Sequence, residues 1–129
     1  MPDHLIRVIA AVVRDGDRFL VCRRPAHKRH GGLWEFPGGK CKDGESDQHA
    51  ITRELAEELG VQVTAVGDAL FSASDPNSPY LIVFMPVEIH GHPVCLEHAA
   101  IAWASTPELA AYALAPSDDR FVSFLGHVE

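Results

Sequence analysis

One strongly patterned helix, lying between segments rich in β-branched residues, most constrains the fold of this 129-residue chain. Residues 46–60 are predicted to form it, with Ser46 as the N-cap and Gly60 as the C-terminal stop. Three apolar residues recur every four positions and would form one buried stripe: Ile51, Leu55 and Leu59. Such a stripe needs a hydrophobic layer to pack against, and the flanking segments can supply one as a sheet.

The segments on both sides of this helix favour strands. Strands are predicted for residues 5–14, 18–24, 61–73, 80–90 and 99–104. Residues 31–44 are dense in glycine and are expected to be irregular. Two shorter helices are predicted after the last strand, one starting at residues 106–108 with Thr106 as its cap and one over residues 117–126 with Ser117 as its cap. The order predicts an α/β fold, a mixed sheet covered by helices, as a single domain over residues 1–129.

The composition argues against several classes of protein. With 11 Lys and Arg against 18 Asp and Glu, the net charge is −7, which argues against nucleic-acid binding. The three cysteines lack any framework spacing and predict reduced thiols in a cytoplasmic protein. Residues 1–4 lack a basic region and the apolar run 8–13 is too short for a signal or a membrane span, so no membrane association is expected.

Three carboxylates share one face of the predicted helix. At about 100° per residue, Glu57 lies about −60° and Glu58 about +40° from Glu54. Like charges at this spacing destabilise a helix by a few tenths of a kcal/mol per pair, a penalty that a hard divalent cation such as Mg²⁺ would remove. Considered alone, such a helix is more often a solvated acidic face, here with Arg53 bridging to Glu57.

The sequence around the helix favours the metal interpretation. The run GKCKDGESDQHAITRELAEELGV, residues 39–61, has the pattern Gly, five residues, Glu, seven residues, Arg-Glu-aliphatic-x-Glu-Glu-x-Gly-aliphatic. It resembles the Nudix box, the signature of the Nudix hydrolases, with no departure. The matching residues are Gly39, Glu45, Arg53, Glu54, Leu55, Glu57, Glu58, Gly60 and Val61.

The resemblance implies a fold, a reaction and a cofactor. The fold would be an α/β/α sandwich around a mixed sheet, and the reaction the hydrolysis of a diphosphate linkage in a nucleotide with Mg²⁺ or Mn²⁺. A nucleoside triphosphate brings about four negative charges to an already negative protein, so metal ions would have to bridge the two. By the family pattern, the metal ligands in this segment would be Gly39 (through its carbonyl), Glu54, Glu57 and Glu58. Glu54 is alternatively the base, Arg53 would orient the acids, and Glu45 would tie the loop to the helix.

A second segment, WEFPGGK at residues 34–40, resembles the MutT-type subgroup. Those enzymes remove oxidised nucleotides from the pool, a form of DNA repair, or hydrolyse CTP-like triphosphates. The resemblance implies that substrate would contact Arg24, Phe36, Gly38 and Lys40. Glu97, which stands six residues before Trp103, would approach the metal from a separate loop as a ligand or general base.

The remaining basic residues and histidines of the loops are given no role in binding or catalysis. Lys28 and Arg29 are interpreted as solvated loop charge. His90, His92 and His98 show no helical i, i+4 pairing and are interpreted as scattered loop histidines rather than a transition-metal site.

Asp118 stands where MutT-like proteins carry a polar residue that contacts the purine edge, an asparagine in the best-known members. An ionised carboxylate only accepts hydrogen bonds and would suit the N1–H and N2–H donors of guanine. It would repel the N3 acceptor of cytosine, so a preference for ordinary or oxidised guanine triphosphates is predicted. The alternative is that Asp118 only helps to cap its helix behind Ser117.

The main functional hypothesis is a nucleoside triphosphate diphosphatase of MutT type. Its expected binding partner is its substrate, a small-molecule nucleotide. Three rivals are kept: a CTP or dCTP pyrophosphohydrolase, a hydrolase of another nucleoside diphosphate derivative, and a Nudix-fold sensor that binds a nucleotide without cleaving it. Sensors typically lose box acids, and this chain keeps all of them. The protein is expected to be a monomer or a homodimer.

Overall fold

Two sheets and three helices form the structure, a computed structural model that describes residues 5–128. Met1–His4 and Glu129 lie outside the described residues, and so does the N-terminal segment considered above for a targeting signal. In chain order the elements are β1 (Ile6–Val12), β2 (Arg14–Asp15), β3 (Arg18–Arg23), β4 (Trp34–Glu35), β5 (Gly38–Lys40), α1 (Asp47–Leu59), β6 (Gln62–Val66), β7 (Phe71–Ala73), β8 (Tyr80–His90), β9 (Ala100–Ser105), α2 (Thr106–Leu109) and α3 (Pro116–Val128).

The first sheet is mixed. β1 pairs in parallel with β8 and antiparallel with β5, while β6 and β7 both pair antiparallel with β8. The second sheet is antiparallel and contains β2, β3, β4 and β9, with β3 between β4 and β9. The predicted mixed sheet is confirmed, but the strands divide into two hydrogen-bonded sheets.

Helices cover both faces of this sheet layer. Successive side chains of a strand point to opposite faces, so Ile9 and Ala11 pack with α1 while Ala10 and Val12 pack with α3. Because β1 is buried on both faces, its continuous apolar sequence is that of a central strand. The stripe predicted for α1 is fully buried, and α3 contributes Phe121 to a cluster of stacked and edge-on phenylalanines. The α/β/α arrangement is therefore confirmed.

The caps of α1 are as predicted, and those of the other helices are not. The Ser46 hydroxyl accepts a hydrogen bond from the His49 amide at 3.1 Å, and Gly60 ends the helix in the left-handed region at φ 66°. The N-cap of α2 is Ser105 rather than Thr106, since Ser105 and Glu108 form a reciprocal capping box. α3 begins at Pro116, so Ser117 lies buried inside its first turn and is not the N-cap.

Two strand predictions also need correction. The stretch 61–73 is not one strand: β6 ends at Val66 and β7 begins at Phe71, and each pairs with a different part of β8. Residues 31–44, expected to be irregular, contain the short strands β4 and β5, because β1 and β3 offer free edges there. Among residues 5–128, no helix is both long enough and apolar enough to cross a membrane.

Candidate active site

Two adjoining clefts lie on either side of the glycine segment. The first, the Asp118 cleft, has a volume of about 460 Å³, within the range of about 300–1,000 Å³ typical of ligand pockets. Side chains and backbone from β1, the basic loop 24–30, β5, β8 and the start of α3 line it. Of the residues selected from the sequence, it is lined by Arg24, Phe36, Gly38, Gly39, Lys40 and Asp118.

The second cleft, the Glu58 cleft, has a volume of about 490 Å³. It brings Glu58 of α1 together with Glu97 of the loop before β9, 39 positions along the chain, and with His98. Arg24 and Gly38 line this cleft as well as the first. Arg53, Glu54 and Glu57 line neither cleft.

The three box carboxylates differ in their surroundings. Glu58 is 6% exposed, accepts a hydrogen bond from the Gly38 amide at 3.3 Å and shares a side-chain hydrogen bond with Glu54. Burial, with the neighbouring Glu54 second, raises the pKa of Glu58 well above its usual range. The Glu57 side chain is about half exposed and lies 3.7 Å from the Arg53 guanidinium.

Arg53 holds this part of the helix to the preceding loop. Its guanidinium donates to both oxygens of Glu45 at 2.9 and 2.8 Å, to Glu54 at 2.8 Å and to the Lys40 carbonyl at 3.2 Å. The Arg53 contact, together with a hydrogen bond from the Lys42 amide, lowers the pKa of Glu45 to about 2. Arg53 is thus bonded closely to Glu45 and Glu54, and only loosely to Glu57.

Gly38 and Gly39 lie so close to neighbouring groups that a side chain at either position would clash with them. A Cβ on Gly39 would lie 2.5–2.6 Å from the carboxylate of Glu54, and one on Gly38 would lie 1.8 Å from the carbonyl oxygen of Ile9. The carboxylate of Glu54 therefore packs directly on the Gly39 backbone, which is a geometric reason for glycine at this box position.

The sequence did not predict a partly buried chain of charged groups formed by Arg24, Glu35 and His98. Glu35 accepts hydrogen bonds from the Arg24 guanidinium at 3.0 and 3.2 Å and makes a further hydrogen bond to His98 Nε2 at 3.0 Å. His98 is therefore not a solvated loop histidine: its side chain is 7% exposed, and its Nδ1 has no hydrogen-bond partner within residues 5–128. Glu35 was within the motif segment, but nothing in the sequence connected it to residues 24 and 98.

Tyr80, also missed, lies in the Asp118 cleft. Its ring centroid is 5.1 Å from the Lys40 ammonium and 5.9 Å from the Arg29 guanidinium carbon. Both are cation–π distances, so the Tyr80 ring holds two basic side chains that line this cleft.

Asp118 is the most deeply buried acid of the first cleft. It is 5% exposed, and its Oδ2 accepts a hydrogen bond from the Phe36 amide at 2.9 Å. Burial raises the pKa of Asp118 to about 8, so near neutral pH the side chain is mostly a neutral carboxylic acid. It then offers one O–H donor as well as acceptors, which corrects the expectation of an accept-only carboxylate.

The donor set fits a hard divalent cation. The carboxyl groups of Glu54 and Glu58 are in contact, and Glu58 is buried. A cation between the two groups would stabilise their charged forms. Within residues 5–128 no group of three or more His, Cys, Asp or Glu side chains is gathered closely enough to hold a metal ion. Mg²⁺ does not require one, because it is usually bound by one or two carboxylates together with water and substrate phosphates.

Comparison with known proteins agrees with this geometry. The family model described as NUDIX domain matches residues 3–125, nearly the whole chain. The protein is a Nudix hydrolase. Members of this family act on small-molecule nucleotides and generally use divalent metal ions.

Several relatives of this Nudix hydrolase are MutT-like. A CTP pyrophosphohydrolase from Escherichia coli is 38% identical over 117 residues, 88% of this chain and 86% of that protein. An 8-oxo-dGTP diphosphatase from Proteus vulgaris is 42% identical over 65 residues, 50% of this chain and 58% of that protein. A solved MutT structure, from work on Aliivibrio salmonicida and Vibrio cholerae, has a TM-score of 0.80 at 33% identity, covering 93% of this chain and 95% of that one.

Proposed function

We propose that this Nudix hydrolase converts a nucleoside triphosphate and water into a nucleoside monophosphate and pyrophosphate. The observation that carries the proposal is the adjacency of the two clefts. One contains aromatic and hydrogen-bonding groups suited to a base, and the other is lined by both Glu58 of the Nudix box and Glu97. A nucleotide with its base in the first cleft would extend its phosphates into the second.

The residues have separable roles in this proposal. Glu58 and Glu54, with Glu57, Glu97 and the Gly39 carbonyl as further ligands, would hold Mg²⁺ or Mn²⁺. When bound, the ion supplies charge neutralisation of the phosphates and a lowered pKa for water. Water would attack a phosphorus of the α–β anhydride, and the P–O bond to the leaving group would break. The leaving group is pyrophosphate if the α-phosphorus is attacked and the nucleoside monophosphate if the β-phosphorus is attacked. Glu97 or Glu54 would accept the released proton.

Glu58→Gln tests the assignment of the site to α1. The amide keeps an acceptor for the Gly38 amide but is a far poorer ligand for a hard cation, so kcat should fall on the order of 10³-fold with the fold intact. Glu88→Gln, an exposed acid that lines neither cleft, is the control. Wild-type turnover by Glu58→Gln at saturating Mg²⁺ would refute the assignment.

For the base, guanine-type triphosphates, including 8-oxo-dGTP, are one set of candidates, supported by relatives named 8-oxo-dGTP diphosphatase. The ionised form of Asp118 would accept from guanine N1–H and N2–H, whereas its neutral form can pair with guanine or with the N3 and amino group of cytosine. CTP is therefore a second candidate, and the CTP pyrophosphohydrolase relative favours it. Removal of oxidised nucleotides in a DNA-repair role would follow only from the first.

A substrate panel separates these candidates. Pyrophosphate release with Mg²⁺ from 8-oxo-dGTP, dGTP, CTP and dCTP should show at least a tenfold range in kcat/KM. Clear preference for CTP or dCTP would refute the guanine assignment. Hydrolysis confined to nucleotide sugars or dinucleoside polyphosphates would contradict the triphosphate assignment, and binding without hydrolysis would indicate a sensor.

A further inference from the structure

The border between the two clefts, defined by the residues that line both of them, carries two basic side chains and one acidic side chain. Four residues line both clefts: Arg24, Lys28, Glu35 and Gly38. If the base lies against Asp118 and the reacting phosphates lie at Glu58, the chain that joins them must cross this border. The charges at the border therefore meet the most negative part of the substrate.

Three of the four border residues bring no unbalanced charge. Gly38 has no side chain, and Arg24 and Glu35 form an ion pair at 3.0 Å. Lys28 is different: it is exposed, and no acid within residues 5–128 lies within ion-pair distance of its ammonium. Its charge is thus available to a ligand.

The backbone around Lys28 is fixed by the protein itself. The Lys28 amide donates to the Pro25 carbonyl at 3.1 Å, and the Arg24 side chain donates to the Arg29 carbonyl at 2.6 Å. A Cβ on Gly31 would meet the Ala26 carbonyl oxygen at 2.3 Å, so the loop closes tightly on itself. Binding a phosphate here would cost little ordering of the backbone.

We propose that Lys28 is a phosphate-binding residue that contacts the polyphosphate of the substrate where it passes between the two clefts. This replaces the interpretation of Lys28 as solvated loop charge, and it rests on the proposed function. The ammonium offers three donors, and a flexible stem lets it follow the phosphates during the reaction. Its contribution is to substrate binding, so it favours a polyphosphate over an uncharged nucleoside.

The test compares Lys28→Gln with Lys42→Gln, an exposed lysine that lines neither cleft. Both changes remove one positive charge from the same type of residue. With the best triphosphate of the panel, Lys28→Gln should raise KM about three- to tenfold and leave kcat within about twofold. Lys42→Gln should leave both unchanged, and Lys28→Arg should restore the KM to within about twofold of wild type.

Binding measurements separate this inference from the proposed function. Lys28→Gln should weaken an α,β-methylene triphosphate analogue by a similar factor and leave the affinity for the parent nucleoside unchanged. Equal KM values in Lys28→Gln and Lys42→Gln, with an active wild type, would overturn the role of Lys28 alone. A wild-type protein that neither binds the analogue nor hydrolyses any triphosphate would overturn the proposed function, and this inference with it.

Discussion

Replacement of two neighbouring glycines by alanine should damage two different properties of the protein. A Cβ on Gly38 would lie 1.8 Å from the carbonyl oxygen and 2.8 Å from the carbonyl carbon of Ile9, which is backbone of the central strand β1. A Cβ on Gly39 would instead meet the carboxylate of Glu54, the far end of a flexible side chain. Gly38→Ala should therefore reduce folding stability, and Gly39→Ala should reduce catalysis.

The magnitudes follow from what has to move. Ile9 is fully buried and hydrogen-bonded within a sheet, so Gly38→Ala forces a backbone shift that costs about 1–3 kcal/mol as overpacking. Gly38 also has φ 156°, and a side chain there adds strain of about 1–3 kcal/mol. A total of about 2–6 kcal/mol lowers Tm on the order of 10–20 °C in a chain of this size.

Gly39→Ala should cost about 1 kcal/mol or less, because the Glu54 carboxylate can swing away. The swing disrupts its 2.8 Å contact with Arg53 and its contact with Glu58. A displacement of about 1 Å in a catalytic group lowers kcat on the order of 10²-fold.

The assay is urea and thermal unfolding of both variants, with a chelator present so that ion binding does not contribute to stability. Turnover is then measured with Mg²⁺ at a temperature where both variants are folded. Unfolding free energies within about 1 kcal/mol of each other would refute the argument from backbone crowding. A normal kcat in Gly39→Ala would refute the argument that the Gly39 backbone positions Glu54.

Three further predictions concern buried and exposed groups. The raised pKa of Asp118, about 8 against an ordinary 3.8, means that the folded protein keeps a proton that the unfolded chain releases, so stability falls as pH rises from about 4 to about 8. Asp118→Asn should therefore have a higher urea midpoint than wild type at pH 8 and nearly the same midpoint at pH 4. Glu97→Gln should lower kcat about 10²–10⁴-fold in steady-state kinetics with little change in KM, and a raised KM alone would make Glu97 a substrate-positioning residue. Mass spectrometry after native alkylation should show Cys95 modified and Cys22 untouched, because Cys22 is fully buried and burial raises the pKa of its thiol.

Local features of the sequence predicted much of the fold. The bounds and both caps of α1 were correct because a serine hydroxyl, a glycine and an apolar stripe act within a few residues of one another. The caps of α2 and α3 were wrong by one position or more, since Thr106 and Ser105 are both plausible caps and only the path of the preceding strand selects between them. The break in the stretch 61–73 depends in the same way on pairing with β8.

The sequence by itself determined the family and the acidic face of α1, because the Nudix box encodes both within 23 consecutive residues. Only the tertiary structure buried Asp118 against the Phe36 amide and placed Lys28 between two clefts. Such contacts join residues up to 82 positions apart, and their energies depend on burial and charge after packing. No periodicity or spacing in the chain records that environment, so the raised pKa of Asp118 and the position of the Lys28 charge between the two clefts are properties of the fold.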